Sequence, residues 1–152
     1  MIYIYTDGSH LNKLNNGRLG CGGVMINGND QILKEFSKEL DKNWLVKTLG
    51  TDKVSNPTAE MLGALIALKE FDIPSNEQVT LFSDYTGVMA SINGTWKIKD
   101  TYMRIIKEEI DKVLDQKNLR GRIKFEWVKG HQSGYSRDAK WNNYVDKLAK
   151  GQ

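Results

Sequence analysis

Ile2-Tyr3-Ile4-Tyr5-Thr6-Asp7-Gly8 sets Ile2 and Ile4 against Tyr3 and Tyr5 and then meets an acid and a glycine. Residues 1–6 therefore read as a strand that Asp7-Gly8 ends. After a polar loop with Asn15, Asn16 and Gly17, residues 19–27 read as a second strand and 31–39 as a third. Gly28-Asn29-Asp30 supplies the hairpin turn between them, so three successive antiparallel strands follow. Asn56-Pro57 then starts a helix, with an N-cap and a proline at the first helical position. Met61, Leu62, Leu65, Ile66 and Leu68 give it an apolar face until Ile73-Pro74. Residues 78–83 form a buried type of strand ending at Asp84, residues 86–93 and 100–116 read as helices, 122–128 alternate as a final strand, and 138–150 close with a helix. The order βββαβααβα predicts an α/β protein, a five-stranded mixed sheet with helices on both faces. The segment 38–54, with Trp44 and Lys47, is longer than these elements account for.

A chain of 152 residues without repeats or linker suits one domain spanning 1–152, and a mixed-sign charged fraction of 27% beside 39% hydrophobic residues excludes disorder. No apolar run approaches the roughly 20 residues of a membrane span. The opening residues lack the basic and apolar regions of a signal peptide. Cys21 is the single cysteine, which fits a small core residue in a reducing, cytoplasmic setting. The net charge of +3 is unevenly spread. Residues 1–84 carry 8 Lys/Arg against 11 Asp/Glu, and residues 85–152 carry 14 against 8. A basic half is compatible with a phosphate-bearing partner and equally with a solvated surface.

Taken singly, the acids have ordinary explanations. Asp7-Gly8 suits a turn, Glu60 favours the dipole of a helix start, Asp84 suits a helix cap, and Asp146 can pair with Lys150 four residues on. Together they are harder to dismiss. If the strands ending at Asp7 and Asp84 are parallel neighbours, both carboxylates emerge on one sheet edge, where the helices can bring Glu60 and Asp146. Clustered carboxylates raise one another's pKa unless cations neutralise them. Hard oxygen donors suit Mg²⁺ or Mn²⁺, and the lack of Cys/His spacing argues against zinc.

Thr6-Asp7-Gly8-Ser9, Thr58-Ala59-Glu60, Ser83-Asp84-Tyr85, Trp127-Val128-Lys129-Gly130-His131 and Val145-Asp146-Lys147-Leu148-Ala149 resemble, in order, the motifs of type 1 ribonuclease H. The glycine-rich Gly20-Cys21-Gly22-Gly23-Val24 also fits that family, and the likeness runs from residue 1 to about 150. It implies the ribonuclease H-like fold and a monomeric endonuclease that hydrolyses the RNA strand of RNA–DNA hybrids, leaving 5′-phosphate and 3′-hydroxyl ends. It implies that Asp7, Glu60, Asp84 and Asp146 hold two Mg²⁺, with Mn²⁺ as an alternative. Asp7 would bridge both ions, Asp146 would serve the ion activating water, and Glu60 and Asp84 would serve the one facing the leaving oxygen. His131 matches an auxiliary catalytic histidine on a loop, although outside this context it reads as a solvated loop residue; imidazole titrates near neutrality either way. His10 matches no catalytic position. Gly8, Ser9, Ser55, Asn56 and Trp96 fall at substrate-binding positions, and the hybrid would be read by shape and 2′-hydroxyls. Trp96 has core packing as its plain alternative, and Lys97, Lys99 and Lys129 have solvation.

The sequence departs from the family in two places. Many members carry a long basic protrusion, whereas Trp96-Lys97-Ile98-Lys99-Asp100 leads almost directly into the next helix. Fewer phosphate contacts imply weaker, less salt-sensitive binding. Gln132-Ser133-Gly134-Tyr135-Ser136-Arg137, after His131, also forms an extended loop. A resolvase or transposase core would share the acids but generally lacks the first and fourth motifs together. A non-catalytic hybrid-binding or connection domain typically loses acids that are all present here.

Overall fold

The computed structural model describes residues 1–10, 19–50, 56–87, 101–130 and 136–151. Strands β1 (Ile2–His10), β2 (Leu19–Asn27), β3 (Ile32–Leu40), β4 (Val79–Ser83) and β5 (Ile123–Trp127) form one sheet in the order β3-β2-β1-β4-β5. The first three are antiparallel, and β4 and β5 run parallel to β1 and to β4. The mixed sheet read from the sequence is therefore the one found, with β1 at its centre. The hairpin between β2 and β3 turns on Asn27, whose Oδ1 accepts from Asn29 N at 2.9 Å and Gln31 N at 3.1 Å, with Asp30 at φ 58°.

β1 does not end at Asp7-Gly8. It continues to His10, because Asp7, Gly8 and Ser9 pair with Gly22, Cys21 and Gly20 of β2. Polar and glycine residues break the alternation on which a strand is recognised, but an antiparallel partner satisfies their backbone all the same. A second difference lies in the segment after β3, which holds α1 (Lys42–Leu49). Asp41 caps its start by accepting from Trp44 N at 2.9 Å, and Gly50 at φ 78° ends it by donating to Val46 O at 2.8 Å. Leu45 and Leu49 bury the one apolar side of this short helix.

Helix α2 (Asn56–Glu70) is buried nearly all round, from Thr58 to Leu68, because it lies between the sheet and α3 (Thr101–Gln116). A helix enclosed on two sides needs no polar face, which is why its apolar residues exceed one stripe. α3 is amphipathic and turns Ile106, Ile110, Val113 and Leu114 toward that core. On the opposite face α4 (Arg137–Ala149) sets Trp141 and Val145 over Tyr5, Val24, Ile26 and Phe82. Helices thus cover both faces. The Tyr5 ring stacks on Phe82 at 4.6 Å, and its hydroxyl donates to Asp138 in the first turn of α4, tying that helix to β1. Residues 86–87 are helical, and the remainder of the helix read over 86–93 lies outside the described residues. Cys21 is fully buried, and burial pushes its thiol pKa well up, as befits an inert core residue. Among the described residues no helix is long and apolar enough to cross a membrane.

Candidate active site

Parallel pairing of β1 with β4 ends at Tyr5 and Phe82, so Asp7, two residues on, and Asp84, just past β4, come to the same edge of the sheet. Glu60 reaches them from the second turn of α2. Asp7, Glu60 and Asp84 each offer a carboxylate oxygen, and these oxygens all lie within 4.8 Å of one another. Asp146 of α4 lines the same open cleft of about 620 Å³, together with Gly8, Ser9, Pro57, Tyr85, Gly130 and Lys150. The pair expected between Asp146 and Lys150 does form, at 2.9 Å, but inside the cleft rather than on a remote surface.

Asp7 does not meet solvent as a strand end would. It is 3% exposed and Glu60 8%. Gly8 N donates to Asp7 Oδ1 at 3.0 Å and to Glu60 Oε1 at 3.3 Å, while Ser83 Oγ donates to Glu60 Oε2 at 3.3 Å and accepts from Tyr85 N at 3.2 Å. Three glycines make this convergence possible by close approach. A Cβ on Gly8 would sit 2.2 Å from Ala59 C and O, one on Gly63 2.9 Å from Asp7 O, and one on Gly22 2.7 Å from Ala149 N. The first two let α2 lie on β1 and so deliver Glu60. The third lets α4 lie on β2 and so deliver Asp146.

Burial, which disfavours the charged form, pushes Asp7 up to about 7, reinforced by Asp84 and Asp146 and opposed by the hydrogen bond from Glu60. Burial and the Asp7 charge push Glu60 well above the usual carboxylate range. Buried carboxylates that can ionise only against one another fit a hard divalent cation, and every donor in the cluster is oxygen.

A stability prediction follows for the metal-free protein. Asp7 is raised from 3.8 to about 7 in the folded state, so between those values the folded protein binds a proton that the unfolded chain has released. This contribution is fully present below about pH 4 and is lost as pH rises through 7. The expected result in chelator is a urea midpoint that falls between pH 5 and pH 8, with added Mn²⁺ or Mg²⁺ restoring it at pH 8. A midpoint insensitive to both would contradict the site.

Gly8 and Ser9 lie in the cleft as read from the sequence. Asn56 opens α2, with its side chain outside the described part. Ser55, Trp96 and His131 lie outside the described residues, as do Lys97 and Lys99 with the whole shortened protrusion. Sequence reasoning missed Ser83 as the support of Glu60 and Gly63 as the seat of Asp7. A glycine inside a helical pattern, at a cost of about 1 kcal/mol against alanine, was the available signal for Gly63.

A mixed sheet of this strand order, covered by helices on both faces and carrying hard oxygen donors where its central parallel strands end, defines an α/β enzyme of the ribonuclease H-like fold. The RNase H family model matches residues 1–152, and the chain belongs to that family of ribonuclease H enzymes. Membership implies dependence on a divalent metal. Ribonuclease H of Pseudoalteromonas translucida is 33% identical over 156 residues, covering 98% of this chain and 87% of the relative. That of Aeromonas hydrophila is 31% identical over 157 residues, covering 99% and 91%. Among solved structures, LC11-RNase H1 in complex with RNA/DNA hybrid superposes with a TM-score of 0.74 at 18% identity, covering 99% of this chain and 95% of the other. The N-terminal RNase H domain of a Mycobacterium tuberculosis protein gives 0.72 at 21% identity, covering 99% and 96%.

Proposed function

We propose that this chain is an endonuclease that hydrolyses the RNA strand of RNA–DNA hybrids with two Mg²⁺, Mn²⁺ being an alternative, and leaves 5′-phosphate and 3′-hydroxyl ends. The observation that carries this reading is the convergence of Asp7, Glu60 and Asp84 in a cleft that Asp146 also lines. The RNA/DNA hybrid named for LC11-RNase H1 supports the substrate. Asp7 interacts with all three other acids and would help to hold both ions. Asp146 would help to hold the ion that activates the attacking water, and Glu60 and Asp84 the ion that stabilises the leaving 3′ oxygen. When bound, the cations lower the pKa of the attacking water and offset the charge that develops on the phosphoryl oxygens.

The protein's own contribution is to hold the acids ready. Gly8 N fixes the facing oxygens of Asp7 and Glu60, and Ser83 Oγ fixes the other oxygen of Glu60. These bonds point the carboxylates into the cleft before any cation arrives, so little rearrangement accompanies binding. His131 acts as an auxiliary group in proton movement or product release. Gly8, Ser9, Ser55, Asn56 and Trp96 contact the hybrid, which is recognised by shape and 2′-hydroxyls. Residues 1–152 act as a single ribonuclease H domain, monomeric and cytoplasmic.

Cleavage of a labelled RNA–DNA hybrid and of the matching duplex DNA, each with and without Mg²⁺, tests this directly. Cleavage of the hybrid's RNA strand alone, and only with metal, is expected. A preference for duplex DNA would place the chain with the resolvase-like nucleases instead.

A further inference from the structure

Of the three clustered acids, Asp84 has the least support from its own element. Asp7 is held in the middle of β1 and Glu60 in α2, whereas Asp84 occupies a bend after β4 has ended. What lies against it is the segment following β5. Parallel pairing of β4 with β5 ends at Ser83 and Trp127, and Val128 N adds one further bond to Ser83 O at 2.9 Å. The Trp127 indole then reaches across, and its Nε1 donates to the backbone carbonyl of Asp84 at 3.1 Å. At the far end of the same segment, Gly130 faces the Asp84 side chain so closely that a Cβ there would stand 3.0 Å from Oδ2 and 3.4 Å from the aspartate Cβ.

The carbonyl before Asp84, its own carbonyl and its carboxylate are therefore all met by residues 127–130. Trp127 is 51% exposed, so burial does not account for where its ring lies. The hydrogen bond does, since an indole donates through one atom only. Gly130 adds an independent constraint, because any side chain there would press on the carboxylate oxygen.

We propose that Trp127 is a positioning residue for Asp84, fixing the peptide from which the carboxylate projects toward Asp7 and Glu60, and that the bare Gly130 keeps that direction open. The inference rests on the reading of Asp84 as a metal ligand and goes beyond it by assigning the ligand's outer support. Partners of this kind raise metal affinity by holding a ligand in its binding orientation, typically by 10–100-fold.

The experiment is Mn²⁺ titration of the free protein by calorimetry, with steady-state hybrid cleavage at graded Mn²⁺, on wild type, Trp127→Phe, Gly130→Ala and Asp84→Asn. Trp127→Phe keeps an aromatic ring and removes the donor. It is expected to weaken Mn²⁺ binding by about 10-fold and to lower kcat at limiting metal. Activity should return as Mn²⁺ is raised, with KM for hybrid unchanged. Gly130→Ala should shift the metal dependence in the same direction with Trp127 intact, so the conclusion does not depend on one variant's folding. Wild-type Mn²⁺ affinity in Trp127→Phe would overturn the proposal, as would a rise in hybrid KM that added metal does not reverse, which would make the ring a stacking surface for nucleic acid. Asp84→Asn separates the two levels of inference. If it binds Mn²⁺ as wild type does, the assignment of Asp84 itself fails, whereas loss of binding there with an unaffected Trp127→Phe sinks only the role of the tryptophan.

Discussion

Asp7→Asn is expected to abolish hybrid cleavage and at the same time to make the metal-free protein more stable. Both effects have one cause. Asp7 is buried at 3% exposure, its oxygens meet those of Glu60 and Asp84, and burial together with its acidic neighbours holds its pKa near neutrality. A charge in that position is unfavourable until a cation arrives, and the amide removes the charge with almost no change of shape. At pH 8 in chelator the variant should melt several degrees above wild type, because roughly 2–4 kcal/mol of burial and repulsion disappears. The share of the pH dependence between 5 and 8 that comes from Asp7 should also disappear in the variant, while the buried Glu60 keeps its own.

Activity moves the other way. An amide is a far poorer ligand for a hard divalent cation than a carboxylate, and in the proposed two-metal reading Asp7 would help to hold both ions. Losing several kcal/mol of charge stabilisation lowers the rate by about 10³-fold or more. Calorimetry should show Mn²⁺ binding lost in parallel. A variant that cleaves hybrid at the wild-type rate with Mg²⁺ would refute the metal mechanism. One that is inactive but less stable than wild type would instead make Asp7 a structural residue whose charge is satisfied by the protein. The combination of lost activity and gained stability separates a functional carboxylate from a structural one.

The acids were legible by their order and by the short motifs around them: in the sequence Asp7 and Asp84 stand where strand alternation stops, whereas Glu60 and Asp146 lie within helices. The parallel placement of β1 and β4, on which the meeting of Asp7 with Asp84 depends, stood in the sequence only as a condition, because β2, β3 and two helices separate the two strands along the chain. Two things were hidden. α1 is short, and with only Leu45 and Leu49 fully buried its apolar signal is faint; its Asp41 and Gly50 caps carried more information than its interior. The continuation of β1 past Asp7 was hidden for the opposite reason, since Asp7, Gly8 and Ser9 look like a turn and behave as strand only because the glycine-rich β2 lies alongside. The supports of the site, Ser83 on Glu60 and Trp127 on Asp84, depend on contacts between residues 23 and 43 positions apart. Local pattern carries no record of such distances.

Gly8 shows how far that reading of a turn changes the expected consequence of a mutation. Were Gly8 a turn residue, alanine would cost about 0.5–1 kcal/mol if it cost anything. In the structure a Cβ on Gly8 would stand 2.2 Å from Ala59 C and O and 2.6 Å from Glu60 N. All three are backbone atoms of α2, so no rotamer change relieves the overlap. Ordinary contact requires the helix to withdraw from β1 by about 1 Å, and α2 carries the most enclosed part of the core, including Met61, Leu62 and Leu68. Gly8→Ala is therefore expected to destabilise by about 3 kcal/mol or more, at or above the upper end of ordinary overpacking. Glu60 moves with the helix, and the shared donation of Gly8 N to Asp7 and Glu60 is disrupted. A displacement of that size at a reacting centre costs about 10²-fold in activity even in the fraction that folds. Urea unfolding gives the first quantity and cleavage per folded molecule the second. Gly28→Ala is the matched control, because a Cβ there meets nothing within 4 Å, and it should change stability by no more than about 0.5 kcal/mol. Near-equal stability of the two variants would mean that α2 does not lie against β1 as described, and the delivery of Glu60 to the acidic cluster would then need another explanation.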